Sequence, residues 1–71
     1  MINETLDLAR PPRFNAGQQI RTIAPGPHKG KRGLVLEVIR RAGDLVYRYR
    51  VQFFDGTSAM FFGFELEAET P

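Results

Sequence analysis

The chain has 71 residues and a mass of 8.1 kDa, room for one small domain. Apolar residues make up 42% and charged residues 25%, an ordinary globular composition that argues against wholesale disorder, and the net charge is +2. Cysteine is absent, which excludes a disulfide framework and a cysteine-ligated zinc or iron–sulfur site. No apolar run reaches the roughly 18 residues of a membrane helix, and no signal peptide is visible, so the expected compartment is the cytoplasm with no membrane contact.

Residues 1–13 read as an N-terminal arm, extended or disordered: a helix over Glu4–Ala9 would be too short to persist in water, and Pro11-Pro12 would stop it. From Phe14 the pattern is that of strands, and residues 14–68 form the expected domain, with 69–71 as a tail. The first strand is predicted over Gln18–Ala24, ended by Pro25-Gly26-Pro27. His28 to Gly33 is a polar loop, and Leu34–Arg41 a second strand, followed by a turn at Ala42-Gly43-Asp44. Leu45–Phe54 is the clearest strand, with Tyr47, Tyr49, Val51 and Phe53 on one face and Arg48, Arg50 and Gln52 on the other. Asp55-Gly56 marks a hairpin into a fourth strand, Ser58–Phe64, and Glu65-Leu66-Glu67 supplies a short fifth strand or a closing turn. In this reading Met60, Phe62 and Phe64 face inward and Phe61 faces outward beside Phe54, an apolar pair suited to a protein partner or a weak homodimer of an otherwise monomeric chain. A small meander that buries one face curls into a barrel, so the expected fold is all-β, a five-stranded barrel with Ile20, Val35, Val38, Tyr49, Val51, Phe53 and Leu66 inside.

Charge is unevenly spread. Eight Lys and Arg lie between Arg21 and Arg50 against only Glu37 and Asp44, whereas the segment from Asp55 onward carries four carboxylates and no base. A basic middle suggests an anionic partner, and an acidic tail can cover that base within the molecule.

The stretch from Gly17 to Val38, with its alternating Ile20, Thr22 and Ile23, the loop Gly26-Pro-His-Lys-Gly-Lys-Arg-Gly33, and Val35 and Val38 after Gly33, resembles a KOW motif. Tyr49-Arg-Val-Gln-Phe53, Asp55-Gly56 and Glu65-Leu-Glu67 are similar to the second half of small SH3-like barrels, so the likeness covers residues 15–67. It departs from the pattern at Gln18-Gln19, where an acidic residue often follows the first glycine, and in an unusually basic loop. The resemblance implies a barrel used for RNA, for protein or for structural contacts, including accessory subunits of redox complexes.

Two binding surfaces follow. Arg21, Lys29, Lys31, Arg32, Arg48 and Arg50 are the candidate contacts to RNA or a ribonucleoprotein, with loop glycines presenting backbone N–H groups to phosphate. The loop is not a Walker A motif, since Arg32 stands where a magnesium-ligating Ser or Thr is required. Phe54 and Phe61 are the candidate protein contacts. His28 and Ser58 are the sole histidine and serine and lie far apart in the pattern, and one histidine without cysteine cannot hold zinc, so neither an enzyme nor a metal or other cofactor is expected.

Overall fold

A computed structural model describes residues 11–69 of the chain; residues 1–10 of the arm expected over 1–13, and the last two residues of the tail, lie outside that range. Five antiparallel strands, β1 (Gln19–Thr22), β2 (Arg32–Ile39), β3 (Arg48–Phe53), β4 (Ser58–Phe62) and β5 (Leu66–Ala68), form one sheet in the order β4-β3-β2-β1-β5. A single 3-10 turn, Gly63–Glu65, joins β4 to β5. The all-β expectation holds. Among the described residues no ladder joins the edge strands β4 and β5, so hydrogen bonding does not close the sheet into a barrel.

The sheet nevertheless builds one core on one face. All five strands feed a single buried cluster: Ile20 from β1, Val35 from β2, Tyr49, Val51 and Phe53 from β3, Phe61 from β4 and Leu66 from β5, with Phe14 added from the chain before β1. Among the described residues no second layer of sheet or helix covers this face; Phe14 before β1 and the loop residue His28 pack against it.

Two local irregularities set which side chains enter that core. In β2 the pairing runs Val35↔Val51 and then Glu37↔Arg50, which leaves Leu36 as an inserted residue. This bulge turns Val35 and Val38 to the same side of the sheet and puts Leu36 outside, reconciling an apolar run with a one-sided core. In the β3–β4 hairpin, Gly56 N–H donates to Phe53 O at 3.0 Å and Phe53 N–H to Thr57 O at 2.7 Å, with Gly56 at φ 94°. The connection is therefore a three-residue loop, Phe54-Asp55-Gly56, and not a two-residue Asp-Gly turn. One extra loop residue shifts the register by one and flips β4. Tyr49 faces Phe61, and Val51 faces Ala59.

This corrects the expected faces of the fourth strand. Phe61 is core, only 8% exposed, while Met60 and Phe64 point outward. The strand also stops at Phe62, because the chain turns at Gly63, and β3 begins at Arg48, leaving Leu45–Tyr47 in the preceding loop. Gly33 sits in β2 between Ile20 and Phe53, and a Cβ there would run into the carbonyl oxygen of Gln52 and lie 2.9 Å from the Phe53 Cα. The strands approach too closely at this point for any side chain.

Candidate binding surfaces

The basic loop between β1 and β2 is folded back on itself. Thr22 N–H donates to Lys31 O at 2.9 Å and Gly30 N–H to Thr22 O at 2.9 Å, while the N–H groups of Lys29 and Lys31 donate to Gly26 O and His28 O. The buried Thr22 hydroxyl donates to the His28 carbonyl, with the Lys31 carbonyl 3.4 Å away. Three consecutive N–H groups, of Lys29, Gly30 and Lys31, are thus consumed inside the loop. An anion nest requires such groups to be free and convergent.

Below the loop, the His28 ring stacks on Phe53 (4.9 Å between centroids, 14° between planes) and meets Phe61 edge-on at 6.0 Å. Phe53 and Phe61 are themselves edge-to-face at 5.8 Å. The histidine acts here as an apolar plug for this end of the core, with Nδ1 buried and without a hydrogen-bond partner among the described residues.

The cations around this loop are largely neutralised by carboxylates of the same chain. Arg21 and Glu67 are register partners on β1 and β5; the guanidinium Nη2 and Nε both reach Glu67 Oε2, Nε at 3.0 Å, with Glu69 Oε1 3.9 Å from Nε. The hydrogen bond to Glu67 and its charge push the Arg21 pKa up. Arg32 Nη1 lies 3.9 Å from Glu69, and Lys31 Nζ lies 2.9 Å from Asp55. Asp55 also accepts from the Thr57 hydroxyl at 2.6 Å and the Thr57 N–H at 2.9 Å. Those Thr57 bonds, the hydroxyl first, together with Lys31, hold its carboxyl well below the usual carboxylate range. Farther along the sheet, Arg50 pairs at 3.1 Å with its register partner Glu37. Of the six expected RNA contacts, Arg21, Lys31, Arg32 and Arg50 are paired; Lys29 and Arg48 have no carboxylate partner among the described residues. Of the two expected protein contacts, Phe54 is 64% exposed and Phe61 is buried, so they form no common patch.

The opposite end of the sheet has a different character. The turn Arg41–Asp44, closed by Asp44 N–H to Arg41 O at 2.9 Å and by Arg41 N–H to the Asp44 carboxylate at 2.8 Å, places Gly43 at φ 91°. The chain then runs through Leu45, 85% exposed, and Val46 before entering β3. Facing them, the 3-10 turn after β4 sets Phe64, 73% exposed, parallel to Phe62 at 5.7 Å. Leu45, Val46, Tyr47, Phe62 and Phe64 line an open groove of about 430 Å³. At its floor, Arg13 N–H donates to the Tyr49 hydroxyl at 2.9 Å, Arg13 Nη1 to Gly63 O at 3.3 Å, and Phe14 meets Tyr49 edge-on. The Arg48 guanidinium lies 5.5 Å above the Phe62 ring.

Sequence reading missed this groove. Its signal was Val46, an apolar residue on the face that otherwise carries Arg48, Arg50 and Gln52. Among the described residues no cluster of three His, Asp or Glu could hold a metal ion, and no helix is long and apolar enough to cross a membrane. Comparison with protein-family models, curated proteins and solved structures gave no match for this chain.

Proposed function

We propose that this chain is a non-catalytic binding module, a small SH3-like barrel of the KOW type, that holds a protein segment in the groove lined by Leu45, Val46, Phe62 and Phe64. The observation that carries the reading is the exposure of Leu45, Val46 and Phe64 beside the half-buried Phe62, over a floor formed by Tyr49, Gly63 and Arg13. Scattered apolar residues are normal on a surface; a contiguous groove is a docking feature. The barrel assignment is supported by the strand order, by the single core that all five strands share, and by the glycine the close approach at position 33 demands.

Contact with RNA through Arg21, Lys29, Lys31, Arg32, Arg48 and Arg50 is the reading that charge along the sequence favours, and the ion pairs to Glu37, Asp55, Glu67 and Glu69 count against it. Fully burying a side chain such as Leu, Val or Phe is worth about 1.5–3 kcal/mol, and association costs about 4–15 kcal/mol, so docking through three such residues is weak and suited to an accessory contact. Panning a random peptide display library against the full chain tests the reading. Enriched peptides should bind less well to Leu45→Ser and Phe64→Ser and equally well to Lys29→Ala. No enrichment, or enrichment indifferent to the groove variants, would overturn it.

A further inference from the structure

The two ends of the sheet differ in which cations remain free. At the groove, Arg13 lines the wall with its guanidinium on Gly63 O, Arg48 sits over Phe62, and Arg40 and Arg41 occupy the loop that presents Leu45 and Val46. None of these four guanidinium groups has a carboxylate within 4.0 Å among the described residues. The two carboxylates nearby are committed to backbone: Asp44 accepts from Arg41 N–H, and Glu65 accepts from Phe62 N–H at 2.8 Å. An apolar groove beside Arg48, with Arg40 and Arg41 in the loop that carries its Leu45 and Val46, is complementary to one kind of partner.

We infer that the groove takes an acidic–apolar segment, a stretch of a partner protein in which Leu- or Phe-type side chains alternate with Asp or Glu. This rests on the docking function proposed above and specifies its ligand. The apolar side chains of the segment pack between Leu45, Val46 and Phe64, and its carboxylates reach Arg48 and the Arg40–Arg41 loop. Arginine suits this role because its guanidinium stays planar and charged, pairs bidentately with carboxylate, and remains stacked on an aromatic ring while doing so. A nucleic-acid strand would also meet arginine and aromatic rings, but Leu45 and Val46 offer its bases no stacking face.

The test uses three synthetic peptides with identical apolar positions and Glu, Gln or Lys between them, titrated into the full chain by fluorescence anisotropy. The Glu peptide should bind tightest and the Lys peptide weakest, with about a 1.5–5-fold advantage of Glu over Gln for each carboxylate–arginine pair formed at low salt. The advantage should vanish near 1 M salt, where the screening length falls to about 3 Å. Arg48→Gln and the double variant Arg40→Gln/Arg41→Gln should each reduce the ratio of Glu-peptide to Gln-peptide affinity, and combining them should bring that ratio to about one. Equal affinities for all three peptides, each lost on Phe64→Ser, would overturn the acidic preference and leave the docking function standing. Failure of every peptide to bind, with circular dichroism showing a folded chain, would overturn both. Two further results would reassign the groove and overturn the inference: RNA binding that depends on Phe64, or a tight homodimer in sedimentation that Phe64→Ser dissolves.

Discussion

The basic loop end and the groove end of this sheet carry similar numbers of cations and use them in opposite ways. At the loop end, Arg21, Lys31 and Arg32 are met by Glu67, Asp55 and Glu69, and the loop N–H groups close on carbonyls of the loop itself. At the groove end, Arg48 stands over the half-buried Phe62 ring, and neither it nor Arg40 or Arg41 has a carboxylate within ion-pair distance among the described residues. The lesson is that charge density along a sequence locates cations, whereas cross-strand register decides which of them remain available to a partner.

The difference can be broken first at the core. Phe53, beneath the loop, packs against His28 and Phe61. Phe53→Ala should cost about 3–5 kcal/mol in chemical denaturation. Phe64→Ala at the groove should stay within about 0.5 kcal/mol of the parent, because its ring is exposed. Next is the backbone approach at Gly33, where Gly33→Ala should destabilise by about 1–3 kcal/mol through overpacking against Gln52 and Phe53. A wild-type midpoint in that variant would show that the strands can separate there.

The availability of the cations can be sharpened by releasing them. Glu67→Gln, Glu69→Gln and Asp55→Asn together free Arg21, Arg32 and Lys31. Binding to single-stranded RNA should strengthen, and its log–log salt slope should steepen by about 2, at roughly 0.7 per freed cation that reaches a phosphate. No change would mean that these carboxylates do not mask the loop. The smallest effect concerns acid. The folded-state pKa of Asp55 is depressed from the ordinary value of 3.8, so its stabilising contribution is complete above the unfolded pKa and is lost as pH falls from about 4 toward the folded value. Asp55→Asn should flatten the denaturation midpoint against pH in that window and leave the profile above pH 5 parallel to that of the parent.

Much of the fold was legible because β3 alternates strictly: Tyr49, Val51 and Phe53 are buried and Arg48, Arg50 and Gln52 exposed, as their spacing demands. Ile20, Val35 and Leu66 followed from the same logic. The fourth strand was misjudged because Asp55-Gly56 fits both a two-residue and a three-residue hairpin loop, and the two differ by one register step that exchanges Phe61 for Phe62 in the core. The groove was hidden for a related reason. Leu45–Tyr47 continues the β3 pattern in sequence, but β3 begins only at Arg48, so Leu45 and Val46 project where no strand among the described residues covers them. Pairing of Arg21 with Glu67 spans 46 residues, and local sequence holds no record of it.

The central claim is that the groove end, and not the basic loop, receives the partner. Amide chemical-shift mapping on the isotopically labelled full chain, titrated with the acidic–apolar peptide, tests it most directly. Shifts should concentrate at Leu45, Val46, Arg48, Phe62 and Phe64, and Lys29 to Arg32 should stay still. Shifts concentrated at Lys29 to Arg32 with the groove amides unmoved would contradict it.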